Sequence, residues 1–230
     1  MSTFSKMFSS SIGQKLIMAL TGLFLCSFLV VHLSGNFSLY FSDDGEAFNK
    51  YSHFMSTNMI IRILEIGLVL GFLFHIATAL KLTNQNTAAR KIKYDNQKLN
   101  ETSSWFSRNM GLSGSIVLIF LILHLVGFYG RYHFATEPTK IYDGQAYKDM
   151  YAIVNEAYKQ LWIVVVYVIG VVLLGLHLNH GFQSAFQSLG LKSKKYAPLI
   201  SSIGTGFSVL VTVGFASFPI LFFLGVFGQQ

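Results

Sequence analysis

One stretch of this chain, LWIVVVYVIGVVLLGLHLNHGF at residues 161–182, contains no Asp, Glu, Lys or Arg and ends just after two histidines, His177 and His180. A helix needs about 20 apolar residues to cross the hydrocarbon core of a bilayer, which is roughly 30 Å thick. The stretch therefore predicts a membrane-spanning helix that carries two imidazoles near one end.

The rest of the 230-residue chain has the same character. Hydrophobic residues make up 52% of it and charged residues 12%, and its mean hydropathy is +0.50. Five stretches reach spanning length, at roughly residues 15–40, 59–80, 109–129, 161–182 and 203–227. We therefore expect an all-α integral membrane protein, with one membrane domain over residues 1–230 and five transmembrane helices.

The basic residues are divided unevenly between the two sides of such a bundle. Six lie on the side opposite the N-terminus, and eleven lie on the N-terminal side: Lys6, Lys15, Lys81, Arg90, Lys91, Lys93, Lys98, Arg108, Lys192, Lys194 and Lys195. Because cytoplasmic segments carry an excess of Lys and Arg, we expect the N-terminus in the cytoplasm and the C-terminus outside. The net charge of +7 is then a topology signal and does not indicate nucleic-acid binding.

Between the third and fourth spans, the segment YDGQAYKDMYAIVNEAYKQ at residues 142–160 has the apolar spacing of a helix. It predicts a short amphipathic helix at the membrane surface. Beyond the fourth span, GFQSAFQSLG mixes aromatic and amide residues, so we expect that helix to continue past the bilayer.

The single cysteine, Cys26, lies inside the first span. An internal disulfide, a CxxCH haem attachment and a cysteine-ligated cluster are therefore excluded. Any redox centre must be held by other residues.

The placement of the histidines is the most informative feature. The first four spans all contain at least one, and the remaining two lie in outer loops; in chain order the seven are His32, His53, His75, His124, His133, His177 and His180. An ionisable side chain within a spanning helix is a candidate functional residue that faces the interior of the bundle. A single one is equally well explained by an interhelical hydrogen bond, but four helices that each carry one favour a common function.

Depth divides these histidines into pairs. At 1.5 Å per residue, His32 and His124 lie about 24–25 Å from the inner ends of their helices, near the outer surface. His75 and His177 lie about 25 Å from the outer ends of helices that run the other way. We therefore expect two pairs of imidazoles whose levels differ by roughly 15–20 Å.

A pair of neutral imidazoles suits haem better than zinc. A structural zinc ion takes four protein ligands, whereas haem iron takes two axial ligands because the porphyrin supplies four nitrogens. Small residues near the histidines, which would admit a flat macrocycle, agree with this: Gly35, Gly71, Ala79, Gly127 and Gly181. We expect the first four helices to form a haem-binding bundle.

In the fourth span, His177 is favoured over His180 as the iron ligand. His177 has Gly181 one turn away on the same helix face and shares the depth of His75. His180 would lie deeper, where it could meet water, a haem propionate or a partner subunit.

Four segments carry a resemblance to a known family: QKLIMALTGLFLCSFLVVHLSGN, IIRILEIGLVLGFLFHIATAL, IFLILHLVGFYGR and LHLNHGFQSAFQSLG. Together with GEAFNKYSHFM before the second span, they resemble the five-helix, dihaem cytochrome b membrane subunit of succinate dehydrogenases and fumarate reductases. The resemblance covers essentially the whole chain.

That resemblance implies two b haems, an outer one on His32 and His124 and an inner one on His75 and His177. It also implies a bacterial inner membrane, and flavoprotein and iron–sulfur subunits, with FAD and iron–sulfur clusters, on the cytoplasmic face. Electrons from succinate would pass through this respiratory complex II, part of the tricarboxylic acid cycle, to menaquinone.

The direction of electron flow is left open by the residues. Some fumarate reductases of this type carry a glutamate two residues before the helix-four ligand, and here that position is Gly175. This departure favours succinate oxidation over a menaquinol:fumarate reductase. The dihaem cytochrome b of another respiratory enzyme, such as a nitrate reductase or formate dehydrogenase, is a further alternative.

For the quinone site, the sequence offers three candidates near the outer haem, namely His53, Arg62 and Glu65. At a spacing of i and i+3, Arg62 and Glu65 are equally consistent with a structural ion pair. Arg131, two turns after His124, and Lys81, near the inner haem, are each interpreted either as a partner of a haem propionate or as a plain interfacial anchor.

A histidine relay in a transporter or proton channel belongs to a different functional class. Such proteins have broken helices or inverted repeats. The chain has three prolines, of which only Pro219 falls inside a predicted span, and shows neither feature.

Overall fold

A computed structural model describes residues 10–89 and 110–228 of the chain. Several residues on which the orientation argument rests lie outside the described residues: Lys6, Arg90, Lys91, Lys93, Asp95, Lys98, Glu101 and Arg108. So does Asn109, the predicted start of the third span.

About 81% of the described residues are helical. They form the helices α1 (Ser11–Asn36), α2 (Glu46–Thr57), α3 (Met59–Ala89), α4 (Met110–His124), α5 (Arg131–Phe134), α6 (Met150–Tyr158), α7 (Leu161–Ser188) and α8 (Ala197–Phe223). A 3-10 turn, Phe37–Tyr40, extends α1, and wider π turns, Leu125–Gly130, join α4 to α5.

Five of these helical stretches are long and apolar enough to cross a membrane, which confirms the prediction of a multi-pass, all-α membrane protein at this level. The helices extend beyond the predicted spans. The second, α3, continues to Ala89, and the fifth, α8, already begins at Ala197. The fourth, α7, continues to Ser188, as its amide-rich end predicts, and the chain then turns at Gly190, whose φ is +74°.

Large apolar side chains are widely exposed on the long helices. On α3, for example, Ile60, Ile63 and Ile66 are 69%, 63% and 63% exposed. Apolar surface of this extent on a protein marks contact with a membrane or with other proteins. It agrees with the membrane assignment made from composition.

The chain divides into two compact units. The first comprises Met1–Phe28, Gly67–Ser115 and Gly175–Val209, and the second comprises Leu29–Ile66, Ile116–Leu174 and Leu210–Gln230. Each long helix contributes residues to both units. The expectation of a single membrane domain stays a prediction.

The second unit has an aromatic core. Its most buried members include Leu39, Ile153 and Phe222, which are 1%, 2% and 3% exposed. Pro219, inside α8, is also fully buried. The amphipathic pattern of α6 provides much of this core, since Met150, Ile153, Val154 and Tyr158 share its buried face.

The segment at residues 142–160 corrects one sequence-based expectation. Only its second half is helical, as α6. A β-hairpin precedes the helix, with β1 (Thr139–Tyr142) paired antiparallel to β2 (Gln145–Lys148). The turn residues Asp143 and Gly144 have φ of +51° and +78°. Asp-Gly favours this two-residue hairpin turn, because both positions need positive φ.

Two histidines expected in outer loops lie in helices instead. His53 is in α2 and His133 in α5. Short helices in these segments satisfy backbone polar groups that an irregular loop would leave unpaired.

A buried amide, Asn49, ties α2 to the hairpin and to α6. Its Nδ2 donates to Asp149 Oδ1 at 3.0 Å and to the Tyr142 hydroxyl at 3.2 Å, and its Oδ1 accepts from the Tyr151 backbone N–H at 2.9 Å. Asn49 is 1% exposed. Buried polar groups of this kind are costly to leave unpaired.

An exposed ion pair joins the same elements. Lys50 Nζ lies 2.6 Å from Asp143 Oδ2 and 2.5 Å from Glu46 Oε1. The hydrogen bond from Lys50 lowers the pKa of Asp143, and the bonds to Asp143 and Glu46 raise the pKa of Lys50. Because the groups are exposed, solvent screens this pair.

Replacing Asn49 tests the importance of this connection. We expect Asn49→Ala to lower the free energy of unfolding of the second unit's α2–hairpin–α6 layer by about 2–4 kcal/mol, because three buried hydrogen bonds are lost. Amide hydrogen exchange of residues 139–158 in the full-length protein measures this.

Ser56→Ala is the matched control on the same helix, because the one hydrogen bond of the Ser56 hydroxyl within residues 10–89 and 110–228 is to the Ser52 carbonyl, at 2.8 Å. Its effect should stay within about 0.5 kcal/mol. Equal protection in the two variants would contradict a special role for Asn49.

Candidate functional site

Each of the two units contains one histidine pair. In the first unit, α3 carries His75 and α7 carries His177, and their ring centroids are 6.4 Å apart with the planes at 72°. Both side chains are partly buried. The predicted pairing of His75 with His177 is present in the structure.

Each imidazole of this pair lies against a glycine of a neighbouring helix. A Cβ built on Gly22 of α1 would lie 3.4 Å from His75 Cε1 and 3.8 Å from its Nδ1. A Cβ built on Gly114 of α4 would lie 3.5 Å from His177 Cε1 and 3.9 Å from its Nδ1. In both cases the Nδ1–Cε1 edge of the ring faces the glycine, and the glycine makes room for it.

The Nδ1 atoms of the two rings have different partners. His75 Nδ1 lies 3.3 Å from the hydroxyl of Thr21 on α1. His177 Nδ1 is buried and has no hydrogen-bond partner among residues 10–89 and 110–228. A buried imidazole nitrogen without a partner is uncommon in folded proteins.

The second unit contains the other predicted pair. His32 of α1 and His124 of α4 have ring centroids 5.7 Å apart, with the planes at 76°. Aromatic rings surround them: Phe215 lies 5.4 Å from His32, and Phe128, Tyr167 and Phe120 lie 5.5, 6.0 and 6.2 Å from His124. This pair is therefore set in an apolar, aromatic environment.

Local structure also distinguishes these two histidines. The Asn36 amide donates to the His32 carbonyl at 2.7 Å, and its nitrogen lies 3.4 Å from His32 Nδ1. His124 is the last residue of α4, and the π turns begin directly after it. Turns of this kind occur preferentially at functional sites.

The ring spacing of both pairs fits a haem iron held by two imidazoles. A metal–imidazole bond is about 2 Å and the ring centre lies about 1 Å beyond the nitrogen, so two axial imidazoles place their centres about 6 Å apart. The observed 6.4 and 5.7 Å agree with that value. Such distances also suit direct edge-to-face ring contact, so the apolar setting and the partnerless His177 Nδ1 add to the argument.

The small residues predicted to border a macrocycle differ in the side chains that lie beside them. A Cβ on Gly35 would lie 2.3 Å from the Tyr51 ring, and one on Gly71 3.0 Å from the Phe24 ring. One on Gly127 would lie 3.8 Å from the Tyr167 hydroxyl, and Gly181 has nothing within 4 Å. Gly35 and Gly71 therefore admit aromatic side chains, and Ala79 is partly buried.

His180, the second histidine of α7, makes no hydrogen bond among the described residues. The amides on either side of it connect α7 to α8. Gln183 Nε2 donates to Asn179 Oδ1 at 3.0 Å, while Ser201 and Thr205 of α8 donate to these amides at 2.9 and 3.2 Å. The amide-rich end of α7 thus holds the fifth long helix.

A second polar group lies in the second unit, on α3 and the π turns. The Arg62 guanidinium pairs with Glu65 Oε2, and the Tyr129 hydroxyl donates to Glu65 Oε1. The Tyr129 ring packs against His133, with centroids 4.4 Å apart and the planes at 42°. We call Arg62, Glu65, Tyr129 and His133 the carboxylate cluster. The third predicted quinone-site residue, His53, is not part of it.

The remaining predicted residues have other neighbours. His53 packs against Tyr147 of the hairpin, with ring centroids 5.1 Å apart. Arg131 binds both oxygens of Glu137, at 2.6 and 2.9 Å. The π turns change the register after His124, so the expectation that Arg131 lies two α-helical turns along the same face does not hold. Lys81 is exposed on α3.

Comparisons of this chain with protein families, with curated proteins and with solved structures find no match. The resemblance to the dihaem cytochrome b family therefore stays a prediction. A function must be argued from the chain's own residues.

The residues that contact His75 and His177 from neighbouring helices, namely Thr21, Gly22 and Gly114, were not identified from the sequence, and neither were the aromatic neighbours of His32 and His124. One signal was available. Gly22 precedes His32 by ten residues, and Gly114 precedes His124 by the same ten. The chain reads HLSG at residues 32–35 and HLVG at residues 124–127, so this similarity extends ten residues back along each span to a glycine.

Gly114 tests whether room beside His177 matters. Gly114→Ala should be tolerated, because its Cβ would lie at an ordinary contact distance from the ring. The two methyl groups of Gly114→Val should displace the imidazole, and we expect that variant to lose one of two haems, measured as haem per purified chain.

Gly206→Val is the control, because Gly206 lies in α8 and a Cβ at this position would have no described residue within 4 Å. It should keep full pigment. Full pigment in Gly114→Val would show that the contact with Gly114 does not position His177.

Proposed function

We propose that this protein is a membrane cytochrome b subunit that binds two b haems and carries electrons between a quinone and a soluble redox partner. The observation that supports it is the occurrence of two histidine pairs, at ring spacings of 6.4 and 5.7 Å, one in each unit of an apolar helical protein. Two axial imidazoles are what haem iron requires from a protein.

His75 and His177 would hold one haem, and His32 and His124 the other. Haem, when bound, supplies one-electron transfer at a potential set by its ligands and their surroundings. The chain's own residues orient the imidazoles and exclude water. Gly22 and Gly114 position the rings of the first pair, and Phe215, Phe128 and Tyr167 enclose the second.

The carboxylate cluster is the proposed place of proton exchange with the quinone. Reduction of a quinone to a quinol takes up two electrons and two protons, so a titratable group must lie beside it. Glu65 is a carboxylate held by Arg62 and by the Tyr129 hydroxyl. Tyr129 is 39% exposed, which leaves this side of the cluster accessible.

The resemblance to succinate dehydrogenase supplies the partners in this proposal. They are an FAD-containing flavoprotein and an iron–sulfur protein on the basic, cytoplasmic face, with menaquinone as the acceptor. The N-terminus would lie in the cytoplasm of a bacterium and the C-terminus outside. Gly175 favours succinate oxidation, and menaquinol:fumarate reductase is the alternative function.

Single replacements of the four paired histidines test the haem assignment. We expect His32→Ala, His75→Ala, His124→Ala and His177→Ala each to lose one haem of two, because each removes an axial ligand. A reduced-minus-oxidised spectrum of the purified full-length protein, with a pyridine haemochrome assay, measures the content.

His180→Ala and His53→Ala are the controls and should keep both haems. If the unaltered protein shows no b-type band, the pairs are direct ring contacts and the proposal is wrong. Full pigment in all four ligand variants would overturn it as well.

Replacing the carboxylate tests the quinone site. Glu65→Gln should slow quinone reduction by about 10²-fold or more, because general acid–base catalysis contributes on that scale. The haem content should not change. The measurement is menaquinone reduction by the assembled complex.

Glu46→Gln removes a comparable carboxylate, which pairs with Lys50 on α2, and should leave the rate unchanged. Equal rates of menaquinone reduction in Glu65→Gln and Glu46→Gln would show that the quinone site does not lie at the carboxylate cluster.

A further inference from the structure

The Thr21 hydroxyl lies within reach of two kinds of partner. Its oxygen is 2.8 Å from the carbonyl oxygen of Ile17 and 3.2 Å from that of Met18, both in its own helix. On its other side it is 3.3 Å from His75 Nδ1. A hydroxyl has one proton to donate and two lone pairs with which to accept.

The distances decide where that proton goes. A carbonyl oxygen has no proton, so the 2.8 Å contact with Ile17 is a hydrogen bond only if Thr21 donates it. Threonine in a helix commonly bonds to the carbonyl four residues earlier. The hydroxyl proton is then committed to Ile17, and a lone pair of the Thr21 oxygen faces His75.

His75 Nδ1 must therefore carry a proton to make a hydrogen bond with Thr21. In a neutral imidazole only one nitrogen is protonated, so Nε2 keeps its lone pair. That lone pair is what binds a metal. Protein ligands of this type usually donate their second ring N–H to a nearby acceptor, which fixes the ring and makes it a stronger electron donor.

We propose that Thr21 is a positioning residue for His75, which holds the imidazole in the Nδ1–H form and presents Nε2 as the iron ligand. This inference rests on the proposed function. The partner ligand differs, because His177 Nδ1 has no acceptor among the described residues. The two ligands of this haem are therefore unequal, and His75 is the one tuned by a hydrogen bond.

The test compares Thr21→Val with Thr21→Ser in the purified full-length protein. Valine keeps the shape and removes the hydroxyl, whereas serine keeps the hydroxyl. We expect Thr21→Val to weaken binding of one haem by about 10–100-fold, the usual cost of losing such a partner. The midpoint potential of that haem should shift upward, because a less basic ligand stabilises oxidised iron less.

Thr21→Ser should restore both the affinity and the potential. Thr87→Val is the matched control, because the Thr87 hydroxyl also bonds the carbonyl four residues earlier, at 2.9 Å, and no imidazole of the described residues contacts it. It should leave both haems unchanged. If Thr21→Val only disturbed the packing, Thr21→Ser would not restore the midpoint potential of the haem. A potential restored by serine therefore shows that the hydroxyl positions the imidazole.

A second measurement does not depend on haem. The ¹⁵N chemical shifts of the His75 ring in the haem-free full-length chain should show the Nδ1–H form in the unaltered protein and in Thr21→Ser, and a mixture of tautomers in Thr21→Val. An Nε2–H form in the unaltered protein would overturn the inference.

The two proposals fail differently. If the unaltered protein binds no haem, the proposed function is wrong. The ¹⁵N chemical shifts of the His75 ring then decide by themselves whether Thr21 holds this imidazole in the Nδ1–H form. If it binds two haems whose affinities and potentials are the same in Thr21→Val, the function stands and the role of Thr21 is wrong.

Discussion

The structure depends on the free-energy cost of leaving a polar group unpaired among apolar side chains. Backbone groups meet this constraint by forming helices, the form that satisfies every N–H and C=O within one segment. Hydroxyl groups meet it by bonding back to their own helix, as Ser27 does to Phe24 at 2.7 Å and Ser34 to Val30 at 2.8 Å. The imidazoles differ from these hydroxyls and from one another. His75 Nδ1 lies 3.3 Å from the hydroxyl of Thr21 on α1, whereas His177 Nδ1 has no hydrogen-bond partner among the described residues.

Much of the architecture was predictable because it follows from local composition. A run of apolar residues predicts a span wherever it occurs, and a constant rise per residue places His32 opposite His124 and His75 opposite His177 without knowledge of the packing. The hairpin was missed for a different reason. The apolar spacing of α6 continues backward over Asp143 and Gly144, although Asp-Gly between two short β-prone segments is itself a strong turn signal.

The neighbours of the histidines were less predictable, because they lie on other helices. Helical periodicity identifies only glycines on the same helix face as each histidine, such as Gly35 and Gly181. It cannot identify Gly22 and Gly114, because each contacts a histidine of another helix. Arg131 illustrates another limit. Its expected direction assumes regular α-helical turns, and the π turns that follow His124 alter that direction. The contact of Tyr129 with Glu65 joins residues 64 positions apart, and no local pattern encodes it.

Pro219 gives the second unit a mechanical property. Proline has no backbone N–H, so the carbonyl of Phe215, four residues earlier, lacks its usual helical donor. The ring of that same Phe215 lies 5.4 Å from His32. Helix α8 can therefore bend at this joint without breaking a hydrogen bond. Beyond the end of α8, the Asn155 amide donates to the Gly228 carbonyl at 2.6 Å, so the chain that follows the joint is tied to α6.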